Sequence, residues 1–173
     1  TPLYSSAASD VYKRQLIEED VGEIHSRLRR NGVDFDSRRV LITGGAGFLG
    51  SWMCDVLIAQ GAKVTCVDNL ASGLKSNVEH LVRNKNFSFV KQDISQPSSF
   101  DEDFDLVVHM ASRASPFEFE KFPIEILKAN TVGTLNALEI AKKDRAVFLF
   151  TSTSEVYGNP TVVPTPESYN GNV

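Results

Sequence analysis

The sequence predicts an α/β fold: a doubly wound parallel sheet with about five strands present, preceded by an N-terminal helix. Three observations predict it. Strand-like and helix-like runs alternate from Arg39 to Ser152, the first strand feeds directly into a turn with spaced glycines, and the second strand ends on a carboxylate, Asp68. With 173 residues the chain has room for one ordinary domain with a buried core. Its 18 Lys+Arg against 22 Asp+Glu leave a net charge of -4, so no basic surface invites nucleic acid or acidic lipid. No apolar run is long enough to span a bilayer, and the N-terminus lacks the cation-then-apolar pattern of a signal peptide. The expectation is a soluble, cytoplasmic protein with neither nucleic-acid nor membrane partners. Cys54 and Cys66 are too few for a disulfide framework or a zinc cluster and are read as buried thiols, with no metal site expected.

Residues 1–15 are polar and without an apolar period; Asp10 to Gln15 resembles the translated end of an adapter used in preparing sequencing libraries. They are expected to be a non-native or disordered leader. Residues 16–38 are expected to form a helix and linker. Ile17, Val21, Ile24 and Leu28 recur at spacings of four, three and four, one face of a helix from Leu16 to Arg30 that Asn31-Gly32 stops. His25, beside that stripe and without a second ligating residue, is read as a solvated surface group.

Residues 39–173 are expected to form the main domain. Arg39 to Thr43 is a β-branched strand, Phe48 to Gln60 a helix, and Lys63 to Asp68 a second strand, a βαβ unit. Gly44, Gly47 and Gly50 at its first turn are spaced G-x-x-G-x-x-G, a variant of the dinucleotide-binding pattern. A tight turn, close approach of backbone to a pyrophosphate, and close packing of helix on strand each ask for a glycine, and the helix N-terminus offers its N–H groups to phosphate. Asp68 is placed to accept hydrogen bonds from the adenosine ribose hydroxyls. No Arg follows it at once to receive a 2′-phosphate, and Lys75 is the nearest cation, so NAD is expected over NADP in a Rossmann-type domain.

Leu74 to Asn84 reads as a short helix and Phe87 to Gln92 as a third strand, ended by Asp93-Ile94. Asp93 either reaches the adenine amino group or caps the loop before Pro97; spacing leaves both open. Phe104 to His109 is the fourth strand, followed at its carboxyl end by Met110, Ala111 and Ser112, where small residues leave room for a cofactor. His109, closing a buried strand, is read as a hydrogen-bonded core histidine. Pro123 to Lys143 is predicted to be one long helix with a broad core face built from Ile124, Leu127, Val132, Leu135, Leu138 and Ile140. Asn130 and Gly133 interrupt its propensity. Ala146 to Ser152 is the fifth strand.

The motifs T-G-G-A-G-F-L-G (Thr43 to Gly50), D-N-L-A-S-G (Asp68 to Gly73), Q-D-I (Gln92 to Ile94), H-M-A-S (His109 to Ser112) and S-T-S-E-V-Y-G (Ser152 to Gly158) together resemble the extended short-chain dehydrogenase/reductase family of nucleotide-sugar enzymes. The resemblance implies NAD as cofactor, a UDP-sugar as substrate and a homodimer paired through helices like Pro123 to Lys143. It also adds Phe48, Leu49, Asn69, Ser72, Gly73, Asp93, Ile94, Met110, Ala111 and Ser112 to the cofactor-binding set. Ser154 stands where 4,6-dehydratases of the family carry Asp, while Glu155 is kept. With A-S-R-A-S-P (Ala111 to Pro116) and P-E-S-Y-N-G-N-V (Pro166 to Val173), this looks most like the UDP-glucuronate decarboxylases, in which oxidation at C4 lets the C6 carboxylate leave as carbon dioxide. Arg113 stands where those enzymes usually have Pro, and Asn170 where many have Trp.

By that resemblance Thr153 hydrogen-bonds the C4 oxygen and Glu155 assists proton transfer at C5, against the plainer reading of a strand-end hydroxyl and a solvated loop acid; Arg113 and Ser115 are expected toward the substrate. The family's Tyr-x-x-x-Lys pair is absent: Tyr4, Tyr12, Tyr157 and Tyr169 are followed at the fourth place by Ala8, Leu16, Thr161 and Val173. The chain is therefore expected to be truncated before that pair, to lack the sugar-binding domain, and to be inactive alone with an aggregation-prone sheet edge. A 4-epimerase, a 4,6-dehydratase or a non-catalytic NAD-binding regulator are the alternatives.

Overall fold

A computed structural model describes residues 4–172, with side chains from Gln15 onward. Five parallel strands form one sheet in the order β3-β2-β1-β4-β5. They are β1 (Arg39–Thr43), β2 (Lys63–Asp68), β3 (Phe87–Lys91), β4 (Leu106–His109) and β5 (Val147–Phe150). The registers run Val40 beside both Val64 and Leu106, Val64 beside Phe87, and Leu106 beside Val147.

Alternation along β1 builds a core on each face of the sheet. Val40 and Ile42 pack with Cys54 and Leu57 of α2 (Phe48–Ala59) and with Val64, Cys66 and Val108, whereas Leu41 turns to the opposite face with Val67, Val107, Phe104, Ala137 and Ala141. Cys54 and Cys66 are fully buried free thiols. A hydrogen bond between them, then burial, push the Cys54 thiol up.

The N-terminal helix α1 spans Tyr4–Arg30, so it begins before the expected start at Leu16. No Gly or Pro lies between Leu3 and Val21 to stop the backbone ladder, and the helix runs through much of the leader. Residues 1–3 of that leader lie outside the described residues. α1 rests on α2: Val21 is buried, and Gln60 Nε2 donates to the His25 carbonyl at 3.2 Å. His25 is half-buried, not solvated.

Two further expectations are corrected. Leu74 to Asn84 is not an α-helix but two 3₁₀ turns, Lys75–Asn77 and Glu79–Leu81, because Leu74 and Asn77 are held to Ala46. The long helix is divided: α3 (Pro116–Lys121), unpredicted, is followed by α4 (Pro123–Lys128), a π-helical turn (Ala129–Gly133) and α5 (Thr134–Asp144). Of its expected core face only Ile140 packs partly against the core; Ile126 and the small residues Gly133, Ala137 and Ala141 are buried instead, while Ile124, Leu127, Val132, Leu135 and Leu138 stay exposed. Close approach to the sheet needs short side chains; a Cβ on Gly133 would lie 3.0 Å from Ile94 Cγ2.

Candidate functional site

Strand order reverses at β1: the chain moves outward to β2 and β3, then returns to place β4 on the other side. In such sheets the crevice for ligands opens beyond the carboxyl ends of the strands at this switch point. Gly44 leaves β1 with φ +73, and a Cβ there would lie 2.8 Å from backbone atoms of Met110 and Ala111. Only glycine lets the two strand ends meet. One turn on, a Cβ on Gly50 would run into the Gly44 carbonyl, so α2 sits directly on the turn that launches it. Gly47 is the N-cap of α2 and contributes no side-chain cap, which leaves the first-turn N–H groups and the positive end of the helix to an anion. Phe48 and Leu49 show their side chains to solvent there. With Ile24, Trp52, Asp20, Glu23 and Arg27 they line a cleft of about 400 Å³ between α1 and α2.

Asp68, at the end of β2, is buried, with Oδ2 accepting from Ala46 N–H at 3.0 Å and Oδ1 from Leu70 N–H at 2.8 Å. Each oxygen keeps a second lone pair for a hydroxyl donor. The Ala46 carbonyl accepts from Leu74 N–H at 3.0 Å and from Asn77 Nδ2 at 2.9 Å. The glycine turn is therefore clamped to the loop that carries Asn69, Ser72 and Gly73. Sequence reasoning misses that clamp, because Asn77 carries no signal beyond an apparent helix.

Asp93 serves its own loop: Oδ1 accepts from Ser95 N–H at 2.9 Å, and Oδ2 accepts from Asn69 Nδ2 at 3.3 Å. Burial works to raise its carboxyl, but the Ser95 and Asn69 hydrogen bonds and the Lys128 charge outweigh it and hold the group low. Asp93 thus holds the loop before Pro97, as the capping reading expects, at the carboxyl edge of the sheet. Ile94 is buried, and its carbonyl accepts from Asn136 Nδ2 at 2.7 Å.

Behind the loop Met110–Ser112 lies a buried polar relay. Thr43 Oγ1 is 2.7 Å from His109 Nδ1 and accepts from Met110 N–H and Ala111 N–H at 3.3 and 3.4 Å. With those lone pairs occupied, the Thr43 hydroxyl donates to Nδ1, which fixes the His109 proton on Nε2. Phe148 and Phe150 stack on the ring. Burial, partly offset by the Ala129 carbonyl, lowers the His109 pKa below 6.5. The neutral ring belongs to the folded state, so below about pH 6.5 the unfolded chain binds the extra proton and stability falls as pH falls. The melting temperature is expected to drop between pH 7 and 5, with part of that drop absent in His109→Gln; an equal drop in both would assign it to other groups.

On the far side of the switch point, Thr153 follows β5 and N-caps the 3₁₀ turn Ser154–Tyr157, its Oγ1 accepting from Glu155 N–H at 3.3 Å. The hydroxyl proton remains to be donated. Glu155 is exposed at the same carboxyl edge, since β5 runs parallel to β4 with Phe150 beside His109. Ser115 is the exposed N-cap of α3. Arg113 does not stand open: its guanidinium pairs with Glu118, donates to the Ala71 carbonyl at 3.1 Å and lies 4.2 Å over the Phe122 ring.

Glycines whose missing Cβ atoms leave a backbone cradle, an uncapped helix start and a carboxylate at the end of β2 fit a dinucleotide. The profile of the NAD dependent epimerase/dehydratase family matches residues 40–172. The chain belongs to that family. Among its epimerase/dehydratase relatives, UDP-glucuronic acid decarboxylase 1 of Danio rerio is 42% identical over 92% of this chain and 41% of its own length. UDP-glucuronic acid decarboxylase 1 of Xenopus tropicalis is 48% identical over 80% and 32%. The chain thus spans less than half of these curated relatives. The solved UDP-glucose 4-epimerase of Thermus thermophilus, in complex with NAD, superposes with a TM-score of 0.63 at 30% identity, covering 78% of this chain and 44% of that one. Among the described residues no helix is long and apolar enough to cross a membrane, and no three or more His, Cys, Asp or Glu side chains group as metal ligands.

Proposed function

We propose that this chain is the cofactor-binding part of an NAD-dependent UDP-glucuronate decarboxylase that yields UDP-xylose. The observation that carries the reading is Thr153 and Glu155 at the end of β5, on the same sheet edge as the glycine turn, in a chain whose relatives are named UDP-glucuronic acid decarboxylases. A pure binder has no need of groups on the reaction side.

NAD, when bound, supplies reversible hydride exchange with C4 of the sugar. The turn at Gly44 and Gly47 and the N–H groups of Phe48, Leu49 and Gly50 would hold the pyrophosphate, and Asp68, with Asn69, Ser72 and Gly73, would hold the adenosine ribose. Asp93 and Ile94 would lie beside the adenine, and Met110, Ala111 and Ser112 would wall the crevice from the β4 side. Ser115 lies toward the sugar nucleotide. A ketone at C4 stands β to the C6 carboxylate and takes up the electron pair released as carbon dioxide leaves. The Thr153 hydroxyl donates to the C4 oxygen as charge builds there, and the Glu155 carboxyl then delivers the proton to C5. Ile124, Leu127, Leu135 and Leu138, left outward on α4 and α5, are the face we assign to a second copy.

The 173 residues contain no Tyr-x-x-x-Lys pair, so this chain alone is expected to be inactive, with weak NAD affinity at best. The test is the product that the whole reading frame forms from UDP-glucuronate with NAD. UDP-xylose and carbon dioxide are expected. UDP-galacturonate would establish the 4-epimerase reading that the solved relative favours, and NAD binding without turnover would make the protein a non-catalytic binder.

A further inference from the structure

The Arg113 side chain is only 15% exposed and its partner Glu118 only 21%, so this ion pair is largely withdrawn from water. Its position gives it meaning. Arg113 follows β4 but reaches across to the Ala71 carbonyl, in the loop after β2. That loop curls back on the acid at its root: Ala71 N–H donates to Asn69 Oδ1 at 2.9 Å, and a Cβ on Gly73 would lie 2.9 Å from Asp68 Oδ2. A permanent positive charge therefore stands against the loop that follows the Asp68 carboxylate, and in NADP sites an Arg near the end of this strand accommodates the 2′-phosphate.

Here that charge is cancelled. The Glu118 carboxylate takes one edge of the guanidinium, the Ala71 carbonyl takes another, and Phe122 covers a face. We propose that Glu118 is a selectivity residue for the dinucleotide: by holding and neutralising Arg113, it keeps a latent 2′-phosphate receptor shut, so that the site discriminates against NADP by more than the repulsion from Asp68. The inference rests on the dinucleotide reading of the site given above. A neutral pair presents no net attraction to a phosphate dianion. Replacing the carboxylate with a carboxamide keeps the shape and the hydrogen bond but leaves one uncompensated positive charge, with Asp68 and Lys75 unchanged.

The test titrates NAD and NADP into the whole protein and three variants of it by calorimetry at low ionic strength. Because Glu118→Gln leaves a largely withdrawn guanidinium without its carboxylate, the fold of each variant is checked first by circular dichroism and thermal melting, and the ratio of the two affinities, not either affinity alone, is the readout. Glu118→Gln is expected to raise NADP affinity relative to NAD by about tenfold, with the gain fading as salt is added. Glu118→Asp, which keeps the charge, and the double variant Arg113→Gln/Glu118→Gln, which removes both, are expected to keep the parental ratio. A Glu118→Gln ratio within about twofold of the parent, with NAD still bound, would overturn the proposal and leave the dinucleotide reading standing. A parent that binds neither dinucleotide overturns both. A ratio that rises equally in the double variant assigns the gain to something other than Arg113, and also overturns it.

Discussion

Gly44→Ala is expected to abolish dinucleotide binding and to destabilise the fold by about 2 to 5 kcal/mol. Two costs add: a residue with a Cβ strained at φ +73, and overlap with the Met110 and Ala111 backbone at 2.8 Å, which no rotamer change can relieve. The overlap falls where β1 and β4 diverge, so relief means spreading the crevice that the pyrophosphate enters. Chemical denaturation read by circular dichroism measures the first effect, and NAD titration of the whole protein the second, with a loss of at least about 100-fold expected. Gly22→Ala is the control: it lies inside α1 with nothing within 4 Å of its added Cβ, and is expected to leave binding unchanged and to stabilise the helix by up to about 1 kcal/mol. A Gly44→Ala chain that melts and binds like the parent would show that the two strand ends do not meet as described.

Glu155→Gln is expected to lower turnover of UDP-glucuronate by the whole protein by about 10² to 10⁴, with KM and NAD affinity little changed. Its side chain is exposed, and nothing in the fold leans on it, so the loss would report chemistry and not stability. Thr153 differs, because its hydroxyl both caps the Ser154–Tyr157 turn and is assigned to the C4 oxygen. Thr153→Ser keeps both functions and is expected to retain most activity, while Thr153→Val loses both. The distinguishing measurement for Glu155 is deuterium incorporation at C5 of the product in heavy water, which is expected to slow in step with turnover. An unchanged rate in Glu155→Gln would leave the residue as a solvated acid.

Much of this arrangement is legible in the chain itself, because it depends on contacts close in sequence. The strand Arg39–Thr43, the glycine turn, the helix from Phe48 and the acid ending β2 form one βαβ unit, in which side-chain period and glycine spacing already state the geometry. Asn130 and Gly133, which interrupt helix propensity, lie in the π-helical turn that lets the segment close on Ile94 and His109. His109 is the hydrogen-bonded core histidine that its place at the end of a buried strand implies, with Thr43 as its partner.

What local pattern misjudges is which face of the Pro123 to Lys143 segment is inside. Large apolar residues at helical spacing signal burial, yet Gly133, Ala137 and Ala141 lie inside with Ile126 and part of Ile140, while Ile124, Leu127, Val132, Leu135 and Leu138 face outward. Periodicity registers an apolar stripe without saying what it meets. The run from Leu74 likewise reads as helix until Ala46, far back in the chain, claims Leu74 and Asn77.

The sequence by itself determined the α/β class, the family and the candidate residues at each strand end, since these rest on residue type, spacing and turn chemistry. Only the tertiary structure decided how those ends are joined: Gly44 against Ala111, Asp68 to Ala46, Thr43 to His109, and Arg113 across to Ala71 with its charge held by Glu118. Each joins segments brought together only by the crossovers of the sheet. A residue's charge is written in the chain, but which partner uses or silences it depends on what the fold sets beside it.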